Sequence, residues 1–64
     1  MDINDLVVLK CELTEYGLER GMRGVIVAVF EDPESAYEVE FCNECGESII
    51  EVPLKPEQLE KVNI

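Results

Sequence analysis

The sequence predicts an all-β domain: five short strands coiled into a small, partly open barrel, with a short helical turn before the last strand. Three observations carry this. Ala36-Tyr37-Glu38-Val39-Glu40-Phe41 alternates apolar and acidic residues, the pattern of a half-buried antiparallel strand. Gly24-Val25-Ile26-Val27-Ala28-Val29-Phe30 is apolar on both faces, as expected of a central strand covered on both sides for part of its length. Ahead of that run, Gly17, Gly21 and Gly24 form an irregular approach that drops the chain onto the strand's opening.

The remaining elements follow in order. Leu6-Val7-Val8-Leu9 is short, apolar and β-branched at its centre, and reads as the first strand. Val7 and Leu9 share one face and Val8 takes the other. Cys11 to Met22 is a long loop, with a turn at Thr14-Glu15-Tyr16-Gly17. Its glycines and the lack of a 3.6-residue period argue against a helix over Leu13–Arg20. Leu13 and Leu18 are apolar and can fold back to cap one end of the barrel.

In the second strand, Gly24–Phe30, Val25, Val27 and Val29 are expected on one face and Ile26, Ala28 and Phe30 on the other. Glu31-Asp32-Pro33-Glu34-Ser35 breaks the chain, and Asp32-Pro33 suits the start of a type I turn. The third strand, Ala36–Phe41, points Tyr37, Val39 and Phe41 inward and Glu38 and Glu40 outward. Cys42–Gly46 is a hairpin loop. The fourth strand runs Glu47–Val52 with Ile50 and Val52 inward and Glu51 outward, and Pro53 ends it. Leu54–Leu59 is one helical turn: Pro56 fits its first position and holds Lys55 extended. Glu60–Asn63 closes the sheet. This order of elements is that of an SH3-like barrel, one domain over residues 1–64.

Composition narrows the function. Fifteen Asp and Glu against five Lys and Arg give a net charge of −10. That charge opposes direct binding to nucleic acid or an anionic membrane, since phosphates need a basic footprint. It suits a basic protein partner, or simply solubility. The start, Met1-Asp2-Ile3-Asn4-Asp5, is acidic, and no apolar run reaches the length of a signal or membrane-spanning segment. Three cysteines cannot form a complete disulfide framework, and a cytoplasmic location is expected.

Catalytic equipment is missing. The chain has no histidine, so Ser35, Ser48 and the three cysteines lack an imidazole base. Glu38 and Glu40 are expected to face water, which does not set one apart as acid and the other as base. The domain is therefore expected not to be an enzyme and to need no cofactor. Cys42-x-x-Cys45-Gly46 leaves three readings open: half of a zinc site, with Cys11 or a second chain completing it; a redox pair; or plain thiols of a turn.

The stretch Gly17–Val27, the strand Ala36–Phe41, Glu57-Gln58-Leu59 and Asp5-Leu6-Val7 together resemble a family of small uncharacterised bacterial proteins, frequent in cyanobacteria, that carry a domain of unknown function. The resemblance covers nearly the whole chain. It implies an SH3-like fold, no established activity, and for some members an antitoxin or immunity role. The sequence departs from the family pattern at Cys42 and Cys45, so nothing about those thiols carries over. Gly21-x-x-Gly24-x-Ile26 also resembles the KOW element of ribosomal and transcription-factor barrels, which implies service to RNA machinery; Arg20 and Arg23 are the only cations near it.

The expected function is a non-enzymatic protein-binding module, regulatory or antitoxin-like, acting as a monomer or weak homodimer. Glu38, Glu40, Glu47 and Glu51 are the candidate contacts to a basic partner. Tyr16 and Leu18 form a second candidate surface that could anchor a partner without charge.

Overall fold

A computed structural model describes residues 1–43 and 45–62, and among these it places five strands and two short 3₁₀ turns. β1 (Leu6–Leu9), β2 (Arg23–Phe30), β3 (Ala36–Cys42), β4 (Ser48–Leu54) and β5 (Leu59–Lys61) form one antiparallel sheet in the order β4-β3-β2-β1-β5. The 3₁₀ turns occupy Thr14–Tyr16 and Pro56–Gln58. Asn63, placed at the end of the last strand by its sequence, lies outside the described residues.

One face of the sheet holds the core. Val7 and Leu9 from β1, Ile26 from β2, Val39 and Phe41 from β3, Val52 and Leu54 from β4 and Leu59 from β5 are all buried together. A single sheet gathers both its edge strands into one cluster only by coiling around it. The result is a small, partly open barrel whose seam lies between β4 and β5. The phase of β3 is as its alternation requires: Val39 lies opposite Ile26 and Val52, and Phe41 opposite Gly24 and Ile50. Burying a side chain of this size is worth about 1.5–3 kcal/mol, far more than any exposed ion pair.

Gly24 is the tightest point of the coil. A β-carbon there would stand 2.7 Å from Val39 Cγ1, 2.9 Å from the Glu40 carbonyl oxygen and 3.0 Å from Phe41 Cδ1. The glycine is required for close approach, since its φ is not in the left-handed region.

The long loop closes one end of the barrel. Leu13 and Leu18 exchange backbone hydrogen bonds of 2.9 and 3.1 Å, with Gly17 between them in the left-handed region at φ 70°. This turn swings Leu18 into the core, where it is buried, while Leu13 packs half-buried against it. Both residues cap the barrel as expected. The loop then returns to β1: Gly21 N–H donates to the Leu9 carbonyl (2.8 Å) and Leu9 N–H to that of Met22 (2.9 Å).

Strand ends shift from those expected: β2 begins at Arg23, β3 runs on to Cys42, β4 begins at Ser48 and β5 spans Leu59–Lys61. Three larger details also differ from the sequence reading. First, β2 carries a bulge at Val27. Ile26 lies opposite Val39 but Ala28 lies opposite Glu38, so one residue is extra and the phase of the strand slips. Beyond the bulge Val29 shares a face with Tyr37, and Ala28 and Phe30 share one with Glu38 and Ala36. Second, β4 continues through Pro53 to Leu54. It is an edge strand, where a residue without an N–H is tolerated. Third, residues 31–35 are a series of bends with a cis Asp32–Pro33 peptide in place of the expected type I turn.

The chain's start is tied to its last strand. Asp2 N–H donates to Asp5 Oδ2 at 2.8 Å, and Lys61 Nζ lies 3.7 Å from the same oxygen. The Asp2 hydrogen bond above all, helped by the Lys61 charge, holds the Asp5 carboxyl below its ordinary value of 3.8. A depressed carboxylate pKa stabilises the fold above the unfolded value, and that contribution is lost as pH falls through the lower folded value. The stability margin of the wild type over Asp5→Ala is therefore expected to hold at neutral pH and to narrow below pH 3.8. Urea unfolding of both proteins at neutral and acid pH checks this.

Candidate functional site

The outer face of the sheet carries the sequence's candidate carboxylates. Leu6, Val25, Glu40 and Glu51 lie opposite one another in a row across β1, β2, β3 and β4. A second row joins Ala28, Glu38 and Pro53. Glu38 and Glu40 are half-buried against these neighbours, and Glu51 is exposed on the edge strand. Directly opposed like charges such as Glu40 and Glu51 cost about 0.2–1 kcal/mol in a sheet. Among the described residues the ion pair formed is that of Lys61 with Asp5, on the other side of the sheet. Among the described residues no ion pair joins the acidic rows.

Glu47 does not join them. It sits in the 43–47 turn, where Asn43 N–H donates to its carbonyl at 2.9 Å, and β4 starts only at Ser48. The expected four-carboxylate patch is thereby reduced to Glu38, Glu40 and Glu51. The second candidate surface also changes. Tyr16 is 42% exposed on its 3₁₀ turn, but Leu18 is 2% exposed and belongs to the core. A leucine buried under the loop cannot anchor a partner, so Tyr16 stands alone there.

Cys42 and Cys45 are both exposed free thiols, and Cys11 is half-buried. The Asn43 side-chain oxygen accepts from the Cys45 N–H at 3.0 Å and from the Glu47 N–H at 2.9 Å. A zinc knuckle turns its loop N–H groups onto its sulfurs; here two of them are occupied by Asn43. Glu44, within this loop, lies outside the described residues.

Two features were not apparent in the sequence. Lys10 and Arg20, far apart in the chain, line one open cleft of about 290 Å³ with Val8, Gly21 and Glu60. The hydrogen bond from Gly21 to Leu9 brings them together. Arg23 lies opposite Val8, which also faces Glu60, and stands two residues from Val25, the residue opposite Glu40. The second feature is the outer half of β2. Val27, Val29 and Phe30 are exposed by 37, 38 and 45%. Their strand is paired with β3 on one side, but the pairing with β1 stops short of them. The last contacts on that side join Ile26 to Asn4 (2.7 Å) and Asp5 (3.0 Å).

These features define a small all-β barrel with an acidic outer face, and among the described residues no helix is long and apolar enough to cross a membrane. The chain belongs to the family described as a domain of unknown function, DUF4926, which it matches over residues 3–61. Comparison with curated proteins and with solved structures finds no match.

Proposed function

We propose that this domain is a non-enzymatic, SH3-like protein-binding module of the cytoplasm that occupies a basic surface on its partner, in a regulatory or antitoxin-like role. The observation supporting this is the acidic ladder of Glu38, Glu40 and Glu51. It places Glu40 opposite Glu51, and among the described residues none of the three carboxylates forms an ion pair. A basic partner would relieve that repulsion on binding and would be steered in by the field of a −10 domain.

The test is capture from extract of the source cells by immobilised wild type and by a Glu38→Lys/Glu40→Lys variant. The wild type is expected to retain a partner at about 0.1 M salt and release it near 1 M, where the Debye length falls from ~10 to ~3 Å. The variant is expected to fold and to capture far less. Equal capture by both proteins, insensitive to salt, would remove the acidic ladder as the binding surface.

A further inference from the structure

We infer that the outer half of β2, Val27–Phe30, is an open strand edge that accepts an extended, basic segment of the partner as an added strand. The inference rests on the protein-binding reading above and gives it a mode of recognition.

The argument starts from the N-terminal turn. Asp5 N–H donates to the Asp2 carbonyl at 3.1 Å and Asp2 N–H donates to the Asp5 carboxylate, so residues 2–5 curl back on themselves. This ends the β1 side of the pairing at Ile26, although β2 runs on to Phe30. Val27 to Phe30 therefore presents main-chain groups on one side with no strand beside them among the described residues. Sequences that leave such an edge open commonly guard it with a lysine, a proline or a very short strand. Here the edge reads Val-Ala-Val-Phe, without lysine or proline, and its valines and phenylalanine favour strands. The bulge at Val27 adds local twist where the open edge begins.

Charge selects the occupant. Beyond Phe30 the chain continues with Glu31, Asp32 and Glu34, all exposed, and Glu38 lies beside Ala28 on the next strand. A second copy of this chain would bring its own Glu31, Asp32 and Glu34 to the same place, on a domain of net charge −10. An added strand that alternates apolar residues with lysine or arginine meets both demands. Its main chain pairs with Val27–Phe30, its apolar side chains lie on the face of Val29, and its cations lie on the opposite face, beside Glu38 and the acidic rim.

The probe is a short synthetic peptide alternating lysine and valine, added to the isotope-labelled full chain. Its counterparts are the same peptide N-methylated at every backbone amide, and one with glutamate for lysine. The lysine peptide is expected to shift the amide resonances of Val27–Phe30 and to slow their hydrogen exchange. The N-methylated peptide keeps every charge and side chain but cannot donate to the edge, and it is expected to bind about tenfold more weakly or worse. The glutamate peptide is expected not to bind.

Equal binding of the methylated and unmethylated peptides, with shifts confined to Glu38, Glu40 and Glu51, would overturn strand addition and leave the acidic-ladder reading standing. Absence of binding by the lysine peptide would overturn strand addition as well, with capture of a native partner judged separately by the charge-reversal variant. Concentration-dependent dimerisation in sedimentation, with protection of Val27–Phe30 and no peptide present, would assign the edge to a second copy and overturn the basic occupant.

Discussion

Val39→Asp is expected to unfold the domain, whereas Glu40→Lys, one residue away, is expected to melt at or above the wild-type temperature. Val39 is fully buried between Ile26 and Val52. An aspartate there would hold an unpaired charge, or a protonated carboxyl without partners, at a cost of several kcal/mol. A chain of 64 residues has roughly 3–10 kcal/mol of stability in total, so the loss is decisive. Glu40 points the other way and faces Glu51. A lysine there converts a like-charge pair into an opposite-charge pair, worth about 0.2–1 kcal/mol. At about 4–8 °C per kcal/mol for a domain of this size, the gain is about 1–8 °C. Circular dichroism melts of both variants check the pair of outcomes. Equal melting of the two would mean that the faces of β3 are wrongly assigned.

Gly24→Ala is expected to cost about 3 kcal/mol, the upper end for an overpacked core. One of the three atoms crowding the added carbon is the Glu40 carbonyl oxygen, at 2.9 Å. A side chain can rotate aside, but this oxygen moves only with β3 itself. Gly17→Ala is the comparison. Gly17 has φ 70° and open space around it, so alanine meets only the backbone penalty, about 1–2 kcal/mol. Denaturant unfolding of the two variants should rank Gly24→Ala as the more damaging. The reverse order would show that β2 and β3 can separate at this point without loss.

Much of the fold was legible because it rests on period-two alternation. Tyr37, Val39 and Phe41 could point only one way once Glu38 and Glu40 lay between them. The same reasoning fails for β2. In a run of six apolar residues either phase looks alike, so a bulge at Val27 leaves no trace in the hydropathy pattern. Pro53 was misjudged as a terminator because strand position, edge or centre, is not a local property. The candidate site was legible in part. The opposition of Glu40 and Glu51 follows from hairpin pairing, but the bulge between Phe41 and Cys42, beyond which Glu47 falls outside the ladder, leaves no trace in the residue types. Leu18 served two expectations at once, as barrel cap and as exposed anchor, and burial permits only the first. The meeting of Lys10 and Arg20 depends on how a long loop returns to β1, which residue types do not encode.

The pairing of Val7 with Lys61 joins points almost the whole chain apart. By contrast, β2, β3 and β4 follow one another through short connections. Closing the long loop requires its entropy to be lost before any contact between β1 and β5 repays it. The folding order is expected to follow from this: the meander of β2, β3 and β4 assembles first, around Ile26, Val39 and Val52, and the chain's two ends meet last. Unfolding would begin at the same place, with three-residue β5 peeling from β1 and exposing Leu59 and Leu9 before the central strands separate.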